Sequence, residues 1–150
     1  MIRIMFVCHG NICRSTMAEF VMADMVKRAG LSDRITVASS ATSTEEIGNP
    51  PHRGTLWELS RRGVPTYPHR AVQLERGDYS KYDLIIGMDS ANIRNIHRIL
   101  GADPEGKVSR LLDGLDGRDV ADPWYTGDFR KTYEDISHGC AYLLEKCREM

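Results

Sequence analysis

The sequence predicts an α/β domain in which a parallel sheet of four strands is wrapped by helices. Three observations carry that reading. Four short, β-rich apolar runs recur along the chain, and helical stretches bounded by capping residues separate them. The length of 150 residues, with 41% hydrophobic and 27% charged side chains, suits one domain that buries a proper core.

The first run, "IRIMFV" (Ile2 to Val7), is almost wholly apolar, as a central strand buried on both faces should be. A polar loop follows, and helical sequence continues to Gly30. Thr16 and Glu19 have capping-box spacing and place the helix start near Ser15 or Thr16. "ITVASS" (Ile35 to Ser40) reads as the second strand, and "ATSTEEIGNPP" as a long loop. A helix around "RGTLWELSRR" stops at Gly63, before an irregular stretch holding Pro65 and Pro68. "YDLIIGMD" (Tyr82 to Asp89) supplies the third strand, which Ser90 turns into a helix ending before Gly101. "KVSRLL" (Lys107 to Leu112) is the fourth. A Gly- and Asp-rich segment then leads to a final helix from about Phe129 to Cys147.

Twenty basic and 21 acidic side chains nearly cancel, so nucleic acid is not favoured as a partner. No apolar run approaches the ~20 residues of a membrane span, and the N-terminus does not read as a signal peptide. The expectation is a cytoplasmic protein. Cys140 and Cys147 stand seven residues apart in a helical segment, roughly 10 Å along its axis and too far to bridge, so they read as small apolar residues.

The first strand-to-helix turn, "VCHGNICRST", carries the chemistry. Cys8 and Arg14 have C-x5-R spacing, and Gly10 and Asn11 tolerate positive φ. Such a loop can turn successive N–H groups inward as an anion nest, with a helix N-terminus aimed at the same point. Arg14 can close on two oxygens of a bound anion. Cys8 at the floor is expected to act as a thiolate, attacking phosphorus to give a phosphocysteine. Ser15 is placed to donate a hydrogen bond to its sulfur. A zinc site at Cys8, His9 and Cys13 lacks a second ligand pair, a redox pair wants C-x-x-C, and the nucleotide-loop glycine patterns are absent. The candidate proton donor and later base is Asp122 in "ADPWY", with Trp124 and Tyr125 as aromatic walls.

These motifs together resemble the low-molecular-weight protein tyrosine phosphatases. The match covers essentially the full length and rests on "VCHGNICRS", "SSATSTEEIGNPP", "GMD" and "DPWY", with nucleophile first and acid last. The resemblance implies one phosphatase domain over residues 1–150, with a parallel sheet in the order 2-1-3-4. It implies cofactor- and metal-free hydrolysis of phosphotyrosine in two steps. By position, Cys8 is the nucleophile, Arg14 holds the phosphoryl group, and His9, Gly10, Asn11, Ile12, Cys13 and Ser15 complete the phosphate loop. Asn11 props that loop, and Ser39 and His69 support it. Cys13 resembles the second loop cysteine that protects the nucleophile under oxidation. His9, His52, His97 and His138 are otherwise read as surface or packing residues. The implied partners are phosphotyrosine proteins, a tyrosine kinase among them, with a monomer as the expected state.

Three positions depart from the family pattern. Thr16 stands where proline is usual, and Val72 interrupts an Arg-Gln pair after His69. Glu45 replaces an aromatic residue of animal members, which makes one wall of the groove acidic and favours basic or neutral residues near the phosphotyrosine. The nearest rival is the protein arginine phosphatase branch, which resembles "GNTCRS"; Ile12 replaces that threonine and cannot hydrogen-bond a guanidinium. A thioredoxin-linked arsenate reductase would need a cysteine pair around residues 80 to 90. A phosphocarrier module would lack Arg14 and Asp122.

Overall fold

Successive side chains of a strand point to opposite faces, so an unbroken apolar run must be covered on both sides. The computed structural model, which describes all 150 residues, meets that demand. In chain order its elements are β1 (Ile2–Cys8), α1 (Arg14–Arg28), β2 (Ile35–Ala41), α2 (Arg53–Arg61), α3 (Asp78–Lys81), β3 (Leu84–Gly87), α4 (Ser90–Leu100), β4 (Val108–Arg110), α5 (Pro123–Thr126) and α6 (Phe129–Arg148). All strands are parallel, in the order β2-β1-β3-β4 that the resemblance implied. Ile4, Phe6 and Cys8 of β1 join a core with side chains of α1, α2 and α6, whereas Met5 and Val7 pack with Ile96 and Leu100 of α4. Cys140 and Cys147 lie in the first core as small buried residues.

The register places the chemistry. Cys8 lies opposite Ala41, Val7 opposite Gly87, and Gly87 opposite Arg110. The carboxyl ends of the four strands therefore meet along one edge, where parallel sheets collect ligands. Every loop leaving that edge reaches the site described below.

Element boundaries differ from the sequence expectations where side chains interrupt a ladder. The third run pairs only over Leu84–Gly87 and the fourth only over Val108–Arg110. After Leu111 donates to the Gly87 carbonyl the chain turns, held by Asp113, whose carboxylate takes both the Arg110 N–H and its guanidinium. The one-turn helices α3 and α5 were not anticipated. Gly30 closes α1 at φ +72, as expected of a helix stop.

The expected Thr16–Glu19 capping box is corrected. The helix α1 begins earlier, at Arg14, with no side-chain cap on Cys13. The Thr16 hydroxyl instead donates back to the Cys13 carbonyl (3.0 Å), and buried Glu19 accepts from Ser39 and Tyr67. A true capping box stands at α4, where Asp89 and Asn92 bond reciprocally.

The helices α2 and α6 meet where the Phe129 ring lies on Gly54. An added Cβ there would come within 2.5 Å of ring carbons. Helix propensity favours alanine by about 1 kcal/mol, but overpacking costs about 1–3 kcal/mol, so the clash wins. Gly54→Ala is expected to lower the urea midpoint at unchanged m-value; a raised midpoint would contradict this packing.

Candidate active site

The loop from Cys8 to Arg14 has little room for alternative shapes. Asn11 is its only residue at positive φ (59°), and the only non-glycine in the chain with one; Gly10, expected to share that role, has no positive φ. A left-handed asparagine costs on the order of 1–3 kcal/mol. Its fully buried amide offsets this with four bonds. Nδ2 donates to Ser15 Oγ (2.8 Å) and Ser39 Oγ (2.9 Å), and Oδ1 accepts from His69 Nε2 (3.0 Å) and the Val72 N–H (3.1 Å). At about 1 kcal/mol each, the four outweigh the strain. The Val72 N–H fixes which way the amide points, so His69 carries its proton on Nε2 toward Asn11.

Of the departures from the family pattern, the one at Val72 is accounted for by this network. Val72 contributes its backbone N–H while its side chain is exposed, so the residue type matters little. Behind the amide stands Glu19, whose carboxylate receives Ser39 Oγ (2.6 Å) and the Tyr67 hydroxyl and lies 3.7 Å from His69 Nδ1. Burial and Glu19 push the Tyr67 hydroxyl above its ordinary range. Tyr67 was not singled out from sequence, and Glu19 only as a capping-box partner.

Cys8 Sγ sits at the centre of this network. The Asn11 and Ser15 N–H groups both point at it from 3.4 Å, and Ser15 Oγ is 3.0 Å away. Because Asn11 donates to the Ser15 oxygen, the hydroxyl hydrogen is free to be directed at the sulfur. The N–H groups of His9, Gly10, Ile12, Cys13 and Arg14 make no hydrogen bond to protein. They surround a pocket with about 520 Å³ of empty space, open to solvent, whose lining includes Cys8, Ile12, Cys13, Arg14 and Asp122. Donors without acceptors around one concavity suit an anion.

Arg14 is held by groups from two other strand ends. Nη1 donates to Asp89 Oδ2 (2.7 Å) and to the Val120 carbonyl (2.8 Å), and Nη2 lies 3.5 Å from Asp122 Oδ2. Burial works against its charge, but Cys8, Asp89 and Asp122 outweigh that and hold the guanidinium protonated. Asp89, the partner of Arg14, is among the residues that sequence reasoning missed. The sequence reads it as the end of the third strand, with Ser90 opening the helix. It is instead the N-cap of α4, and its Oδ1 accepts from the Asn92 N–H (2.7 Å), which leaves Oδ2 for Arg14.

Asp122 is likewise an N-cap, accepting from the Trp124 N–H (3.0 Å) at the start of α5. Trp124 and Tyr125 stand exposed beside it, at 59% and 84% of their possible surface. His52 supports this wall. Its ring stacks on Phe129 (5.1 Å), meets Trp124 edge-on (5.8 Å) and caps α2, and the backbone N–H of His52 donates to the Ile12 carbonyl. His52 is a packing residue, as expected, but one that joins the phosphate loop to the aromatic wall. Across the pocket Glu45 accepts from His9 Nε2 (3.0 Å), and Glu46 packs against Gly10.

The two loop cysteines differ. Burial foremost, then the nearby Cys8 and Asp122, push the Cys13 thiol up to about 12. It stays neutral at neutral pH, and thiols react as thiolates. Iodoacetate at pH 7 is therefore expected to label Cys8 and spare Cys13, Cys140 and Cys147, with inorganic phosphate slowing the reaction. Mass mapping that finds Cys13 labelled first would contradict the assignment.

No helix is long and apolar enough to cross a membrane, and no group of three or more His, Cys, Asp or Glu is arranged to hold a metal ion. Residues 3–150 match the family model for low molecular weight phosphotyrosine protein phosphatase. The chain is 40% identical over 147 residues to low molecular weight protein-tyrosine-phosphatase YfkJ of Bacillus subtilis, covering 96% of this chain and 94% of that one. It is 37% identical to PtpA of Staphylococcus epidermidis, over 97% of this chain and 93% of the relative. The crystal structure of the Bacillus subtilis YfkJ superposes with a TM-score of 0.95 over 99% of this chain and 96% of that one, at 39% identity. The Streptococcus pyogenes phosphatase SP-PTP gives 0.88 over 97% and 93%, also at 39% identity. Fold, strand order, the C-x5-R loop and these likenesses agree, and the chain belongs to the low-molecular-weight protein tyrosine phosphatases.

Proposed function

We propose that this protein hydrolyses phosphotyrosine in proteins through a phosphocysteine intermediate, without a metal, with Cys8, Arg14 and Asp122 carrying the chemistry. The observation that supports it best is the sulfur of Cys8 at the floor of a ring of unpaired N–H donors, with Arg14 and a carboxyl at its rim.

In the first step the phosphoryl oxygens take the loop N–H groups and the Arg14 guanidinium. Cys8 Sγ attacks phosphorus, the P–O bond to the phenol breaks, and protonated Asp122 gives its proton to the departing phenolate oxygen. In the second, the Asp122 carboxylate takes a proton from a water whose oxygen attacks phosphorus. The P–S bond breaks and inorganic phosphate leaves. The Ser15 hydroxyl, 3.0 Å from the sulfur, stabilises the returning negative charge. Trp124 and Tyr125 are placed to hold an aromatic leaving group. Cys13, neutral at rest, does not compete as nucleophile. If Cys8 is oxidised to a sulfenic acid, Cys13 can condense with it, releasing water and closing a disulfide.

The pocket walls favour the phenolic ester over phosphoarginine. Ile12, almost fully buried, presents an apolar side chain to the pocket and offers no acceptor for a guanidinium. A phosphatase of this class consumes what a tyrosine kinase makes, so its protein partners include that kinase or its substrates.

Cys8→Ser is expected to abolish turnover. Asp122→Ala is expected to lower kcat/KM for phenyl phosphate by about 10²–10⁴-fold, and far less for dinitrophenyl phosphate, whose leaving group needs no proton. Full activity of Cys8→Ser, or a requirement for added metal, would overturn the mechanism. On peptides, the acidic Glu45–Glu46 rim should make lysine-flanked phosphotyrosine a better substrate than glutamate-flanked, and both better than phosphoarginine. Equal turnover of all three would remove Glu45 and Ile12 from the account of specificity.

A further inference from the structure

The segment that brings Asp122 to the site is a strap of irregular chain running from the end of β4 to α5, and its last residues are tied down one after another. Arg118 reaches α6, where Nη1 and Nη2 grip both oxygens of Asp135 at 2.8 and 2.6 Å. Asp119 Oδ1 accepts from the N–H of Ser90 at the start of α4 (3.1 Å) and from Arg110 of β4 (2.9 Å). Val120 donates to the Met88 carbonyl and accepts from Arg14. Thr132 of α6 donates to the Ala121 carbonyl at 3.4 Å.

Of these ties, the one to α6 is the bidentate one. A bidentate guanidinium–carboxylate pair fixes direction as well as distance. Asp135 is 4% exposed while Arg118 is 45% exposed. The carboxylate end is thus fixed in the protein and the guanidinium end is open to solvent screening, which leaves the two-point geometry as what holds the strap. Burial would raise the Asp135 carboxyl, yet Arg118 and then Lys131 reverse this and hold it below the usual range. Asp122 itself has little to hold it. Outside its own helical turn the carboxyl touches only Arg14, at 3.5 Å, and that contact must yield when a phosphoryl group enters.

We infer that the Arg118–Asp135 pair is a positioning device for the general acid: it anchors the strap to α6 and so sets where Asp122 stands over Cys8. Neither residue touches the substrate pocket. Their effect is transmitted through the three residues between Arg118 and Asp122, and a misplacement of about 1 Å in a catalytic group can cost about 10²-fold. The inference rests on Asp122 being the proton donor proposed above.

The test compares Arg118→Gln, Arg118→Lys and Asp122→Ala on two esters, phenyl phosphate, which needs a proton donor, and dinitrophenyl phosphate, which does not. Arg118→Gln leaves Asp135 paired with Lys131, 3.3 Å away, so its charge is not stranded. It is expected to lose about tenfold or more in kcat/KM on phenyl phosphate and little on dinitrophenyl phosphate, following the direction of Asp122→Ala. Arg118→Lys, which keeps the charge without the fork, should fall between wild type and Arg118→Gln. It also stands in for the glutamine variant should that fail to fold. Asp116→Asn, which removes the solvent-side partner of Arg118, should leave both rates unchanged. A merely structural role would lower both substrates equally, through loss of folded enzyme, and that result overturns the inference. If Asp122→Ala shows the leaving-group pattern and the Arg118 variants do not, the clamp alone is wrong. If Asp122→Ala lacks the pattern, the acid assignment falls and takes the clamp with it.

Discussion

The site depends on one buried amide. Asn11 sits in a backbone conformation that only glycine adopts freely, and four hydrogen bonds hold it there. The four partners come from three places: the first turn of α1, the end of β2, and the irregular stretch after Pro68, which supplies two. Strain at Asn11 is thus supported by contacts with chain positions 4 to 61 residues away. The same amide orients Ser15 toward the Cys8 sulfur, so the geometry of the loop and the stabilisation of the nucleophile have a common cause.

A parallel sheet makes that convergence possible. With every strand running the same way, four carboxyl ends and their loops gather at one edge. Each loop brings one component: β1 the sulfur and the N–H ring, β2 the acidic rim, β3 Asp89, and the chain after β4 the Asp122 carboxyl with its aromatic wall. Arg14 lies at the meeting point. Its bonds to Asp89 and Val120 brace the guanidinium from one side and leave its remaining donors and the neighbouring N–H groups facing the pocket.

Much of this was legible in the chain itself. C-x5-R on a strand–loop–helix junction, followed by serine, names an oxyanion cradle because the residue types are those its geometry requires. Asp122 was readable as the candidate acid once the cradle was recognised, since a thiolate attacking an ester needs a proton donor. The supporting residues were harder. Glu19 has the spacing of a capping-box partner, but its tertiary neighbours Ser39 and Tyr67 compete for the carboxylate and win. Asp89 is indistinguishable in sequence from an ordinary helix cap, because one of its oxygens performs that role. His52 and Arg118 carry no motif at all.

The sequence by itself determined the α/β class, the order of the four strands and the longer helices, and which side chains are the candidates for the chemistry, because periodicity and turn chemistry are local properties. Its resemblance to a family supplied the sheet order. Only the tertiary structure decided where α1 starts, that Asn11 rather than Gly10 takes the left-handed turn, and which partners Asp89, Tyr67, His52 and Arg118 find. Those outcomes turn on which of several possible partners a buried polar group finds. That choice is made by long-range packing, where an unpaired donor or acceptor costs more than a local preference can return.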